Sequence, residues 1–146
     1  MSDSPLAAHA AQRPFRHPVR VYWEDTDAGG IVYYANYLRF LERARTEWLR
    51  SFGHSQSQQL KESGLAFTVI GVSVEYHRPA RLDDEIIITA LPQRVGGAVV
   101  RFDQRIYRET PEDLLVTAQV RVACFDTRTL RARRLPAFIT QEIFAT

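Results

Sequence analysis

Val21-Tyr-Trp-Glu-Asp-Thr-Asp-Ala-Gly-Gly-Ile-Val-Tyr-Tyr-Ala-Asn-Tyr37 decides how this chain is read. An alternating apolar segment runs into a cluster of acids, a Gly-Gly pair breaks it, and a long amphipathic helix follows. The order brings a carboxylate and a helix N-terminus together across a flexible loop. A carboxylate can attack a carbonyl or activate water, and helix N-terminal amides can hold the resulting oxyanion. The pattern suggests acyl transfer.

Upstream, Val19, Val21 and Trp23 alternate with Arg20, Tyr22 and Glu24, the period of a half-buried strand. Downstream, a helix is expected from about Ala35 to Phe52. Its stripe is Tyr37, Leu41, Ala44 and Trp48, widened by Leu38, Leu49 and Phe52, with Gly53 as the stop. Arg43 and Glu47 are spaced for an exposed ion pair. Ser55 to Ser63 reads as a second, short helix closed by Gly64.

The remainder is strand-rich. Ile70, Val72, Val74 and Tyr76 alternate with smaller or polar residues; Glu85 to Leu91 is a second run; Val100, Phe102 and Ile106 share a side of a third. Leu114, Val116, Ala118, Val120, Val122 and Cys124 form one apolar face of a fourth. The links at Pro92–Gly97 and Arg108–Asp113 are too short for helical crossovers, so these strands should pair antiparallel. The expectation is an α+β domain, one long helix on a five-stranded, mainly antiparallel sheet, over residues 15–146. Residues 1–14 lack periodicity and read as a mobile tail. Two open sheet edges favour association with a second copy.

The chain has 146 residues, enough for one domain, and an ordinary soluble composition, 45% hydrophobic and 25% charged. A net charge of +2 argues against nucleic acid as a partner. One cysteine leaves no disulfide framework, and no apolar run approaches the roughly 20 residues that span a bilayer. The start lacks the basic and apolar regions of a signal peptide, so the expected location is cytoplasmic.

Glu24, Asp25 and Asp27 are the chemical centre. Strand-end acids are commonly solvated or cap turns, but the glycine pair lets a ligand approach the backbone here. Asp25 and Asp27 would share a face if the strand persisted, so an acidic Mg²⁺-binding pair for phosphotransfer is a further reading. The antiparallel pattern downstream argues against it. Asn36 caps the helix or holds the loop, capping being the expected role. Cys124, in line with Val120 and Val122, reads as core. His9 and His17 lie in or near the tail and His54 follows a helix end, without metal-ligand spacing.

Glu-Asp-Thr-Asp-Ala-Gly-Gly-Ile-Val-Tyr-Tyr-Ala-Asn-Tyr, continued by Leu38-Arg-Phe-Leu-Glu-Arg-Ala-Arg-Thr-Glu-Trp-Leu-Arg50, resembles the hotdog-fold acyl-CoA thioesterases. The resemblance is closest to the Tol–Pal-associated branch of the 4-hydroxybenzoyl-CoA thioesterase family. It spans about residues 18–139, through Val-Glu-Tyr-His-Arg-Pro-Ala-Arg-Leu-Asp-Asp84 and Val-Ala-Cys-Phe-Asp126.

The resemblance implies a metal- and cofactor-free hydrolase in which Asp27 is catalytic. It also implies that the backbone N–H of Tyr34 polarises the thioester carbonyl and that the Gly29 to Tyr34 segment, Gly30 included, shapes the oxyanion site. Many members of the branch carry His where this chain has Tyr34; the backbone donor survives that change. Glu42 falls near the family's substrate-contacting acid, the other reading being an ordinary surface acid of the helix. From the residues themselves, Tyr33, Tyr34, Phe67 and Trp48 either line an apolar pocket or belong to the core, and Arg78 and Arg94 are either candidates for the coenzyme A phosphates or solvated edge charges. Arg131, Arg133 and Arg134 form a basic run suited to solubility or an acidic partner.

The family further implies a homodimer or homotetramer with sites between subunits, and acyl-CoA or acyl carrier protein as substrate carrier. The other reading from the same cleft is a noncatalytic acyl-binding scaffold linked to envelope or phospholipid metabolism.

Overall fold

The computed structural model describes residues 13–144. Residues 1–12, which hold most of the expected tail and His9, lie outside the described residues.

The strands are β1 (Phe15–Arg20), β2 (Leu65–Tyr76), β3 (Glu85–Arg94), β4 (Val99–Arg108) and β5 (Leu114–Asp126). They form one antiparallel sheet in the order β1-β3-β4-β5-β2. Two helices, α1 (Asn36–Arg50) and α2 (Gln56–Ser63), precede β2, and a short π-type turn (Ile139–Ile143) ends the described chain. The expected α+β layout, one long helix against a five-stranded sheet, is the one observed.

Period explains α1. Tyr37, Phe40, Leu41, Ala44, Trp48 and Leu49 recur at three- and four-residue steps and are buried. They pack on the alternate residues of β3, β4 and β5 that point to the same side. Phe40, Leu41 and Ala44 meet Ile86, Ile88, Ile106, Val116 and Ala118. Trp48 and Leu49 meet Phe102, Val120, Val122 and Cys124, with Leu135 and Ile139 closing the far end. Each fully buried Leu, Ile or Phe contributes roughly 1.5–3 kcal/mol of transfer free energy. Cys124 is a core residue, as its place in the alternation implies; burial pushes its thiol up.

Several expectations are corrected. Leu38 and Phe52 do not widen the buried stripe; they are 42% and 41% exposed, and Phe40 takes the inner place. Arg43 lies over the Phe40 ring rather than pairing with Glu47, which instead binds Arg50 one turn on. The inward strand alternation stops at Val21, because Trp23–Asp25 turns into a 3-10 helix and leaves Trp23 82% exposed. In β5 a bulge at Leu115, between Leu114 and Val116, turns Leu115 fully inward, where the simple alternation selects Leu114. β2 begins at Leu65, earlier than its alternation suggests, and a register shift between Val69 and Gly71 interrupts it. The short helix matches its reading: Ser55 Oγ accepts the Gln58 N–H, and Gly64 adopts a left-handed cap (φ 73°).

The two sheet edges differ. β1 is short and carries Pro18, which cannot donate to a further strand. β2 is twelve residues long, with Val69, Ile70, Val72 and Tyr76 each about half exposed. It is the open edge.

Candidate active site

The acidic stretch folds into a tight turn. Thr26 bridges Val32, the Asp27 N–H donates to the Ile31 carbonyl (2.8 Å), and the Gly30 N–H donates to the Asp27 carbonyl (3.1 Å). Gly30 sits at φ 79°, in the left-handed region that disfavours a side chain. The Asp27 carboxylate stays exposed and accepts the Gly29 N–H at 2.8 Å, which fixes its direction. Asp25 and Asp27 do not share a face, since the strand has ended. The Asp25 carboxylate instead accepts the Tyr22 N–H (2.9 Å).

The turn is tied to the helix start and to the loop after β2. The Tyr33 N–H donates to the Asp25 carbonyl (3.0 Å), Val32 N–H to the Ala80 carbonyl (2.9 Å), and Leu82 N–H to the Gly30 carbonyl (3.2 Å). Asn36, the first residue of α1, does not cap it. Its side-chain amide donates to the Asp25 carbonyl at 2.9 Å and so holds the loop, while the capping position, Ala35, has no side chain able to do so. Among the described residues the Tyr34 N–H has no hydrogen-bond acceptor. It lies one residue before the capping position, Ala35, just ahead of the helix.

Aromatic rings wall this region. Tyr33 and Tyr34 stand 4.9 Å apart, Tyr34 meets Tyr76 edge-on at 6.4 Å, and the Tyr76 hydroxyl donates to the Tyr34 carbonyl (3.2 Å). Tyr37 lies behind them, buried, and its hydroxyl accepts the Ala80 N–H at 3.0 Å. Burial pushes its phenol up. Replacing Tyr37 with Phe strands that buried N–H, so a loss of about 1–3 kcal/mol in urea-unfolding free energy is expected.

An ion network braces the same loop. Arg108 binds Asp84 (2.6 Å) and Asp113 (2.9 Å), and Arg78 reaches Asp113 at 3.3 Å. Arg108 holds the Asp113 carboxyl below its ordinary range, with help from Arg78.

The structure thus brings Asp27, Gly30, Tyr33, Tyr34 and Asn36 into one folded unit, with Arg78 on the adjoining loop. Glu42 lies farther down α1, exposed, its carboxylate accepting the Thr46 hydroxyl (2.9 Å). Arg94 is not part of the unit within one chain. It ends β3 at the opposite end of the sheet and donates to the Gly96 carbonyl (3.2 Å).

Sequence reasoning missed a basic cleft of about 680 Å³ beside the start of β2, walled by Arg128, Arg133 and Arg134 with Ser63 and Asp126. Asp126 accepts the Arg128 N–H (2.8 Å) and pairs with the Arg133 guanidinium (3.4 Å). Arg133 and Arg134 stand in the basic run, but Arg128 lies beyond a turn that only the fold closes onto Gly64.

One long helix laid against a five-stranded antiparallel sheet, with an acid-bearing turn at the helix start, is the hotdog arrangement. The chain belongs to the thioesterase superfamily, whose model matches residues 29–115. It is 45% identical over 122 residues to the acyl-CoA thioesterase YbgC of Haemophilus influenzae, covering 84% of this chain and 88% of that one. It is 48% identical over 128 residues to the acyl-CoA thioester hydrolase YbgC of Escherichia coli, covering 88% and 94%. In fold it is similar to a 1,4-dihydroxy-2-naphthoyl-CoA thioesterase from Synechocystis, with a TM-score of 0.84 over 90% of this chain and 96% of that one at 23% identity. Among the described residues no helix is long and apolar enough to cross a membrane.

Proposed function

We propose that the protein hydrolyses acyl-CoA thioesters to a carboxylic acid and free coenzyme A, with Asp27 as the catalytic carboxylate. The observation that carries the reading is the pairing, in one folded unit, of the exposed Asp27 carboxylate with the acceptor-less Tyr34 N–H at the start of α1. Near-half identity to the two YbgC thioesterases supports the substrate class.

The chemistry follows from the groups. A thioester is already activated because its thiolate leaves readily, so one carboxylate suffices as general base toward water or as nucleophile. Attack moves the carbonyl electrons onto oxygen, where the Tyr34 N–H and the positive end of α1 stabilise them. Collapse expels the coenzyme A thiolate. In the nucleophilic route the expelled thiolate leaves a mixed anhydride between the acyl group and Asp27, which water then splits; in isotopically labelled water under a single turnover, label found in the Asp27 carboxyl arises only from attack of water on that anhydride.

A second copy completes the site in this reading. Antiparallel pairing along β2 covers Val69, Ile70, Val72 and Tyr76 and makes one continuous sheet. Such pairing lays the Leu65 end of one β2 beside the Tyr76 end of the other. The partner's basic cleft then faces this chain's Asp27 turn, and its arginines suit the nucleotide phosphates of coenzyme A. Charge reversal at Arg133 and Arg134 to Glu is expected to raise KM for acyl-CoA roughly 10-fold or more, one lost phosphate ion pair being worth about 1.5–3 kcal/mol. Acyl-pantetheine, which lacks the nucleotide, should show little change.

Thiol release from short, long and aromatic acyl-CoAs, by wild type and by Asp27→Ala, tests the whole reading. Release by wild type alone supports it; equal release by both removes Asp27 from the mechanism. Acyl carrier protein bears the same phosphopantetheine thioester, so its acylated form belongs in the panel as the second carrier.

A further inference from the structure

Beneath the C-terminal half of α1 a part-buried guanidinium, that of Arg45, makes no ion pair among the described residues. Gln104, 1% exposed on β4, donates through its amide nitrogen to the Leu41 and Thr89 carbonyls, both at 3.1 Å. Those two bonds fix the amide, and its oxygen accepts from the Arg45 guanidinium at 2.9 Å. Among the described residues no carboxylate lies within ion-pair distance of Arg45. Glu42, one turn away, is turned to Thr46. Burial pulls the Arg45 guanidinium down to about 10, opposed by the field of Glu42.

This guanidinium forms part of the wall of a cavity of about 50 Å³. Apart from Arg45 and Gln56 the lining is apolar, with Trp48, Phe67, Phe102, Val122 and Ile139 among its members. One water needs roughly 10–15 Å³ on this measure, so the space holds a few heavy atoms. A guanidinium carries five N–H donors, and the amide of Gln104 takes one. Helix-to-sheet attachment needs no charge here, and an apolar residue would avoid the desolvation cost. A carboxylate is the ligand that matches a planar, part-buried guanidinium in an apolar wall.

We propose, building on the thioesterase reading, that this cavity receives the far end of the acyl group and that Arg45 selects acyl chains ending in a carboxylate. Leu38, Glu42, Arg45 and Leu49 follow one flank of α1, so a chain laid along it from the helix start meets Arg45. Arg45 stands nine residues beyond Asn36, or about 14 Å at 1.5 Å per residue. At roughly 1.2 Å per bond of extended chain, and allowing for the reach of the arginine, that corresponds to a medium-length ω-carboxyacyl group.

The experiment compares kcat/KM for matched pairs, octanoyl- with suberyl-CoA and decanoyl- with sebacyl-CoA, on wild type, Arg45→Met and Arg45→Lys. Urea unfolding of each variant runs alongside. Wild type is expected to favour the carboxylated member of each pair. Arg45→Met should shift that ratio toward the alkyl member by roughly 10–100-fold, the worth of a charged hydrogen bond, and Arg45→Lys should restore part of it. Preference of wild type for the alkyl members, or an equal fall for both members in Arg45→Met, overturns the proposal and leaves Arg45 as a clamp between helix and sheet. Absence of hydrolysis of every CoA thioester by wild type overturns the thioesterase reading and this inference together.

Discussion

Asp27→Asn is expected to fold as the wild type does and to lose about 10²–10⁴-fold in thioester turnover, the usual worth of a positioned general base. Asn keeps a side-chain oxygen that can accept the Gly29 N–H, so the turn of residues 27–31 retains its geometry. What disappears is the negative charge. The variant therefore separates chemistry from architecture more cleanly than Asp27→Ala, which also removes the turn's acceptor. Substrate binding, measured as KM or as protection from thermal unfolding by a nonhydrolysable acyl-CoA analogue, should change far less than kcat. A variant that turns over at the wild-type rate would move the catalytic role away from this carboxylate.

The largest effect on stability is expected at Phe40. Phe40→Ala should lower the unfolding free energy by about 3–5 kcal/mol, as large-to-small changes of buried aromatics do. The ring is fully enclosed, set edge-on to Tyr37 at 6.2 Å, and belongs to the cluster with Ile86, Ile88 and Val116. α1 sits directly over these residues, so relaxation into the void would shift the helix start and the Tyr34 amide with it. Urea midpoints at a fixed protomer concentration would measure the loss, with Leu38→Ala as a comparison. Leu38 is 42% exposed, and its truncation should cost much less. A loss under about 1 kcal/mol for Phe40→Ala would mean that the core does not depend on this contact.

The turn at Asp27 was legible because glycine, acid and helix signals are local and adjacent in the chain. α1 was legible from its apolar period. The period leaves the edges of a stripe ambiguous, so Phe40 and Leu38 exchanged places. Trp23 misled because the alternating pattern continues through Trp23 and Glu24, into the 3-10 turn that begins at Trp23. Asn36 has the composition of a cap, but its amide found the Asp25 carbonyl across the loop, a contact no helix signal encodes. Gln104 and Arg45 lie 59 residues apart and meet only when α1 lands on β4. The basic cleft likewise assembles from both sides of a turn against Gly64. Residues whose role depends on closure of the sheet carry no local sign of it.

The register shift between Val69 and Gly71 has a consequence for solubility. A long apolar border strand with free amides and carbonyls is a template for unlimited cross-β growth. At Gly71 the Arg121 guanidinium lies where a β-carbon would stand, so the strand is bare there and covered by a cation. A fibril needs many copies in identical straight register, and this break denies it.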